Sequence, residues 1–175
     1  MKRIIALLLT LVVFQSPAFA QGYVVTSSAA VTTSTSPAYT AGDSIGTLLT
    51  FNNVFGSQAR SGVLLNVCIT DKAAVAADIS FVPATQAISA TVTDNAPFDP
   101  NDADLPLLGR EIPFTSTERV SYNDNGMKCT SSLGIAVRNT NSAAPRAMYG
   151  YLVNRGAATF SSTTDLTVIV NVLQD

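Results

Sequence analysis

The chain has 175 residues, ten of them basic and twelve acidic, and contains neither histidine nor tryptophan. Without histidine it lacks Ser-His-Asp and Cys-His nucleophile pairs, the usual neutral-pH general base, and His-ligated zinc or iron. A net charge of −2 with scattered arginines supplies no clustered cationic surface for nucleic acid.

Residues 1–20, MKRIIALLLTLVVFQSPAFA, read as a secretory signal peptide. Lys2 and Arg3 form the positive start, Ile4 to Phe14 the apolar stretch, and Pro17, Ala18 and Ala20 the break and small-residue cleavage site. The apolar stretch is shorter than the roughly 20 residues that span a bilayer, and no second segment reaches that length. The mature chain is expected to begin near Gln21 and to act outside the cytoplasm, in the periplasm, the medium or on a particle. It then carries eight basic and twelve acidic residues, a balance of −4. Its 155 residues suit one self-sufficient domain, able to bury roughly two thirds of its unfolded surface.

Residues 21–38 are rich in Ser and Thr and weakly patterned, as in an N-terminal arm or edge strand. From residue 39 onward, Val, Ile and Thr recur in short runs broken by Gly, Pro, Asn and Asp, which predicts many short strands. Strands are expected over 44–52, with Ile45, Leu49 and Phe51 on one side, and over 63–70, with Leu65, Val67 and Ile69 on one face. Others are expected over 78–83, 88–93, 110–114, 133–139, 148–154 and 166–173. The run Asn123-Asp124-Asn125-Gly126 signals a tight turn. One segment breaks the rhythm: Asp99 is placed to cap and Pro100 to open a helical stretch near 100–108, cut short by Pro106. Residues 39–175 are therefore predicted to form an all-β, β-sandwich or jelly-roll-like domain with that single short helical insertion.

Cys68 and Cys129 are the only cysteines. In an exported chain an even pair without metal-knuckle spacing reads as a disulfide. Asn66 and Thr70 share the face of Cys68, which puts the bond on the outer sheet surface or against the loop before Leu133. Asp94, Asp99, Asn101, Asp102 and Asp104 crowd into one loop, the oxygen chemistry that calcium takes. They lack EF-hand order, and helix capping with turn formation accounts for most of them. Tyr122, Tyr149 and Tyr151 are the candidates for stacking on a sugar, although strand tyrosines also serve as packing residues. No residue pattern calls for a cofactor.

Four stretches occur in succession: Tyr39-Thr40-Ala41-Gly42-Asp43-Ser44-Ile45-Gly46, Thr93-Asp94-Asn95-Ala96-Pro97-Phe98-Asp99-Pro100, Tyr149-Gly150-Tyr151-Leu152-Val153-Asn154-Arg155-Gly156 and Val172-Leu173-Gln174-Asp175. This succession resembles a family of small, uncharacterised tailed-bacteriophage proteins found among head, decoration-type and other virion structural proteins. The resemblance implies a β-rich, non-catalytic building block without a cofactor, whose partners are proteins, further copies of itself included. The leader and the cysteine pair set this chain apart, because such proteins ordinarily assemble in the host cytoplasm. A secreted binding module for a cell-surface carbohydrate or protein is the alternative expectation.

Overall fold

Alternating β-branched and polar residues organise the chain into ten strands, seen in a computed structural model that describes residues 22–56, 60–73, 75 and 77–174. The expected signal peptide lies outside these residues. The strands are β1 (Val24–Ala30), β2 (Ser44–Phe51), β3 (Ser61–Asp71), β4 (Ile79–Ala84) and β5 (Ile112–Phe114), followed by β6 (Val120–Tyr122), β7 (Asn125–Cys129), β8 (Ile135–Arg138), β9 (Met148–Asn154) and β10 (Leu166–Gln174).

Two antiparallel sheets pack as a sandwich. The first runs β1-β10-β3-β7-β6, with β8 also on β3; the second runs β2-β9-β4-β5. Strands β7 and β8 lie on successive halves of β3, through Cys68↔Cys129 and Leu64↔Ile135. Between those pairs four steps along β3 face six along the outer chain. The surplus is absorbed where Ser132 and Gly134 take positive φ values of 50° and 59°.

Between the sheets lie Ile45, Leu49 and Phe51 of β2, Leu64, Val67 and Ile69 of β3, and Leu166, Val168, Val170 and Val172 of β10. One expectation is corrected here: Leu64, not Leu65, joins Val67 and Ile69. The register slips between Asn171 and Val172, so that Asn66 and Leu64 have partners while Leu65 is extra. A bulge of one residue moves all side chains beyond it to the other face.

The second sheet is covered on both sides, so every residue of β4 and β9 is buried. Its outer face carries Tyr149 and Tyr151, over which Ile88, Ala90, Val92, Phe98 and Leu108 pack. These belong to a long cover between β4 and β5. The expected strand over 88–93 does not form. The Ile88 N–H donates to the Tyr151 hydroxyl at 3.0 Å, and those of Ser89 and Ala90 donate to the Asp104 carboxylate at 2.8 and 3.0 Å. With its donors taken by side chains, this backbone has no ladder to join.

The helical interruption is a single 3-10 turn, Leu105–Leu107. Asp104 rather than Asp99 stands at its cap, and Pro106 lies inside its first positions. A second 3-10 turn, Ser116–Glu118, begins with a capping box from Thr115 to Glu118.

Candidate functional site

Cys68 and Cys129 face each other across β3 and β7 and are joined by a disulfide, with their Cα atoms 4.1 Å apart. One step further on, Thr130 donates its N–H to the Val67 carbonyl, and its hydroxyl accepts from the Val67 N–H. This makes Cys68/Cys129 the closer, non-hydrogen-bonded kind of antiparallel pair. Cys129 is exposed, so the bridge lies on the outer surface of the first sheet.

The acidic loop divides into clamps and surface. Asp94 Oδ1 accepts from the Tyr39 hydroxyl at 2.6 Å and from the Gly46 N–H at 2.5 Å. Asp104 is buried, and its carboxylate accepts from the N–H groups of Ser89, Ala90 and Asn101 and from the Ser89 hydroxyl. The Ser89 N–H, foremost among these donors, holds Asp104 below the usual carboxylate range. Asp99, Asn101 and Asp102 are exposed. Among the described residues no three His, Cys, Asp or Glu side chains are grouped to hold a metal ion.

The tyrosines divide in the same way. Tyr149 and Tyr151 share the covered face of β9 and are buried, whereas Tyr122 is exposed on the edge strand β6. No tyrosine platform for a sugar is formed by this trio. Lys128 is also buried, and its ammonium donates to the Ala77 carbonyl; burial pushes its pKa down. Asp71, 3.8 Å from Arg119, has its pKa raised, chiefly by burial.

What remains open is backbone. The Gln174 N–H donates to the Tyr23 carbonyl, and the Val31 N–H to the Leu166 carbonyl. By antiparallel alternation, the odd-numbered residues of β1 bond to β10, and Val24, Thr26, Ser28 and Ala30 turn their N–H and C=O groups outward. Among the described residues these groups meet no other strand. From Gly22 to Gly42 the sequence has no charged residue, and β1 contains no proline. It therefore lacks the usual devices that blunt an edge. Tyr23 and Val24, at its start, are 59% and 53% exposed.

A second opening lies beside β8, a cleft of about 550 Å³ running between Ile135–Arg138, Ser61–Val63, Pro83–Thr85 and the Pro106–Gly109 segment. Its walls are mostly apolar. Thr85, one of its lining residues, accepts the Thr140 N–H at its carbonyl at 3.0 Å.

No family model, curated protein or solved structure matches this chain. Its action has to be read from its own edges and cleft. Among the described residues no helix is long and apolar enough to cross a membrane. The β8 cleft has no sequence signature. The run Ile135-Ala136-Val137-Arg138 reads as a strand whether it is central or at an edge, and only the pairing with β3 reveals its open side.

Proposed function

We propose that this is an exported, non-catalytic structural protein that works by contact with other proteins, further copies of itself among them, in the manner of virion-surface subunits. The free edge of β1 carries the reading: it is seven residues long, uncharged and unpartnered among the described residues. Such an edge is a template for another strand. The surface disulfide supports residence in an oxidising compartment. The succession of motifs that resembles virion proteins supports a particle-bound or envelope-bound role. Absence of histidine, and carboxylates engaged in holding loops, leave contact as the better-supported activity over turnover.

The test is to fractionate producing cells and image the fraction that holds the cysteine-bridged chain by electron microscopy. Particles or ordered assemblies bearing the chain support the proposal. A free monomer in every fraction, with no neighbour captured by cross-linking, contradicts it.

One observation favours a second reading, a secreted binding module: the apolar cleft beside β8. With Tyr149 and Tyr151 covered, its natural ligand is a protein segment rather than a sugar.

A further inference from the structure

We infer that the cleft beside β8 binds an extended peptide segment in which apolar and acidic residues alternate. The inference rests on the second reading, the binding module, and is independent of the contact role of β1, since a chain that stays monomeric can still bind such a peptide.

Backbone geometry is the first ground. The Asn139 N–H donates to the Arg60 carbonyl at 2.7 Å, and Gly62↔Val137 and Leu64↔Ile135 continue that register. Alternation then turns the N–H and C=O groups of Ala136 and Arg138 away from β3 and into the cleft. Among the described residues they have no backbone partner. A strand laid along β8 would satisfy them, which is β-augmentation.

The second ground is the lining. Val137 turns inward, where it is buried, while Ala136 and Arg138 share the outer face. Leu108 and Pro83 form the opposite wall. A strand's side chains alternate between two faces. One set would meet Val137 and Leu108, and the other would lie beside Arg138.

Charge decides the second set. Arg119 and Arg155 form ion pairs, and the Lys128 and Arg146 side chains donate to carbonyls. Four cations, Arg60, Lys72, Arg110 and Arg138, have no side-chain partner among the described residues, and three of them lie in the cleft lining or next to it in sequence. Arg138 lines the cleft, and Arg60 and Arg110 adjoin the lining residues Ser61 and Gly109 in the chain. In a protein of net negative charge, an apolar cleft with the unpaired Arg138 in its wall, and Arg60 and Arg110 one residue from its lining in the chain, favours carboxylates, which arginine holds with paired hydrogen bonds.

The experiment titrates the bridged chain with a capped peptide of about seven residues alternating valine and aspartate, read by calorimetry at low salt. Saturable binding is expected, weakened about tenfold or more when lysine replaces aspartate in the peptide or when Arg138→Glu is introduced. Ala136→Pro, which removes an N–H facing the cleft and none from the β3 ladder, should also abolish it. Thermal melting checks that each variant is folded, and either variant alone suffices if the other is not. Absence of binding, equal affinity for the lysine peptide, or an unchanged affinity in a folded Arg138→Glu chain would overturn the inference. So would binding of dodecanoate without binding of the peptide, which would make the cleft a site for a fatty anion.

Discussion

The hydroxyl of Tyr39 donates to Asp94 Oδ1 at 2.6 Å, and the same oxygen receives the Gly46 N–H. Two side chains 55 residues apart thereby fix three segments: the crossover after β1, the start of β2 and the cover of the second sheet. The Tyr39 hydroxyl also accepts from the Ser34 N–H, and its ring meets Phe160 edge-on at 5.4 Å. Burial first, and the bond to Asp94 second, hold this phenol well above the ordinary tyrosine range.

Replacing this residue, Tyr39→Phe, keeps the ring and strands its partners, at a cost of about 1–3 kcal/mol. The pH dependence has a definite sign. The folded state keeps the phenolic proton while the unfolded chain releases it near pH 10. Stability from this group is complete below that range and is lost as pH rises beyond it. Urea unfolding from pH 8 to 11 should show an alkaline decline that Tyr39→Phe flattens.

Asp104 works at the other end of the scale. Its pKa is lowered in the fold, foremost by the Ser89 N–H, so its contribution is present above the ordinary aspartate range and fades as pH falls below it. Asp78, lowered by the Ser116 N–H, adds to the same acid limb, and Asp71, raised by burial, opposes it. Asp104→Asn should destabilise the chain at neutral pH and shrink the loss between neutrality and pH 3. Thermal melts at both pH values measure this. Limited proteolysis should then cut the cover over 85–108 first.

Gly150 is where close packing leaves no room. A Cβ there would lie 2.4 Å from the Phe81 ring. Gly150→Ala should cost about 1–3 kcal/mol through overpacking, and combining it with Phe81→Leu should cost less than the two changes added together. A double-mutant cycle of denaturation midpoints gives that coupling.

How far the sequence discloses this architecture depends on what each residue answers to. The strands 44–51, 148–154 and 166–174 were legible because each is a local run of apolar and β-branched residues, alternating inward and outward in 166–174. Leu65 was misplaced because a bulge is set by the partner strand, here the slip at Asn171/Val172. The strand expected at 88–93 was misread because Asp104 and Tyr151, distant in sequence, take its N–H donors. The pairing of Cys68 with Cys129 could be read from the expected leader and the cysteine count. The cleft could not, since its lining comes from segments at 61–63, 83–85, 106–109 and 135–138 that only the topology brings together.

The bridge between Cys68 and Cys129 spans 61 positions, for which the chain-entropy model gives a stabilisation of about 4 kcal/mol. The double change Cys68→Ala with Cys129→Ala should lower the denaturation midpoint accordingly, with the sheet content retained at room temperature. Mass spectrometry of the non-reduced chain under denaturation should find no alkylatable thiol.

Sedimentation of the cysteine-bridged chain over a wide concentration range tests the edge of β1 most directly, read beside the variant Ser28→Pro. Proline at this position removes an outward N–H while leaving the β1–β10 ladder intact. The account predicts concentration-dependent association of the native chain, lost in Ser28→Pro with its melting temperature unchanged. A native chain that sediments as a monomer at every concentration, identical to Ser28→Pro, and that captures no neighbour on cross-linking in the envelope or on a particle, contradicts it.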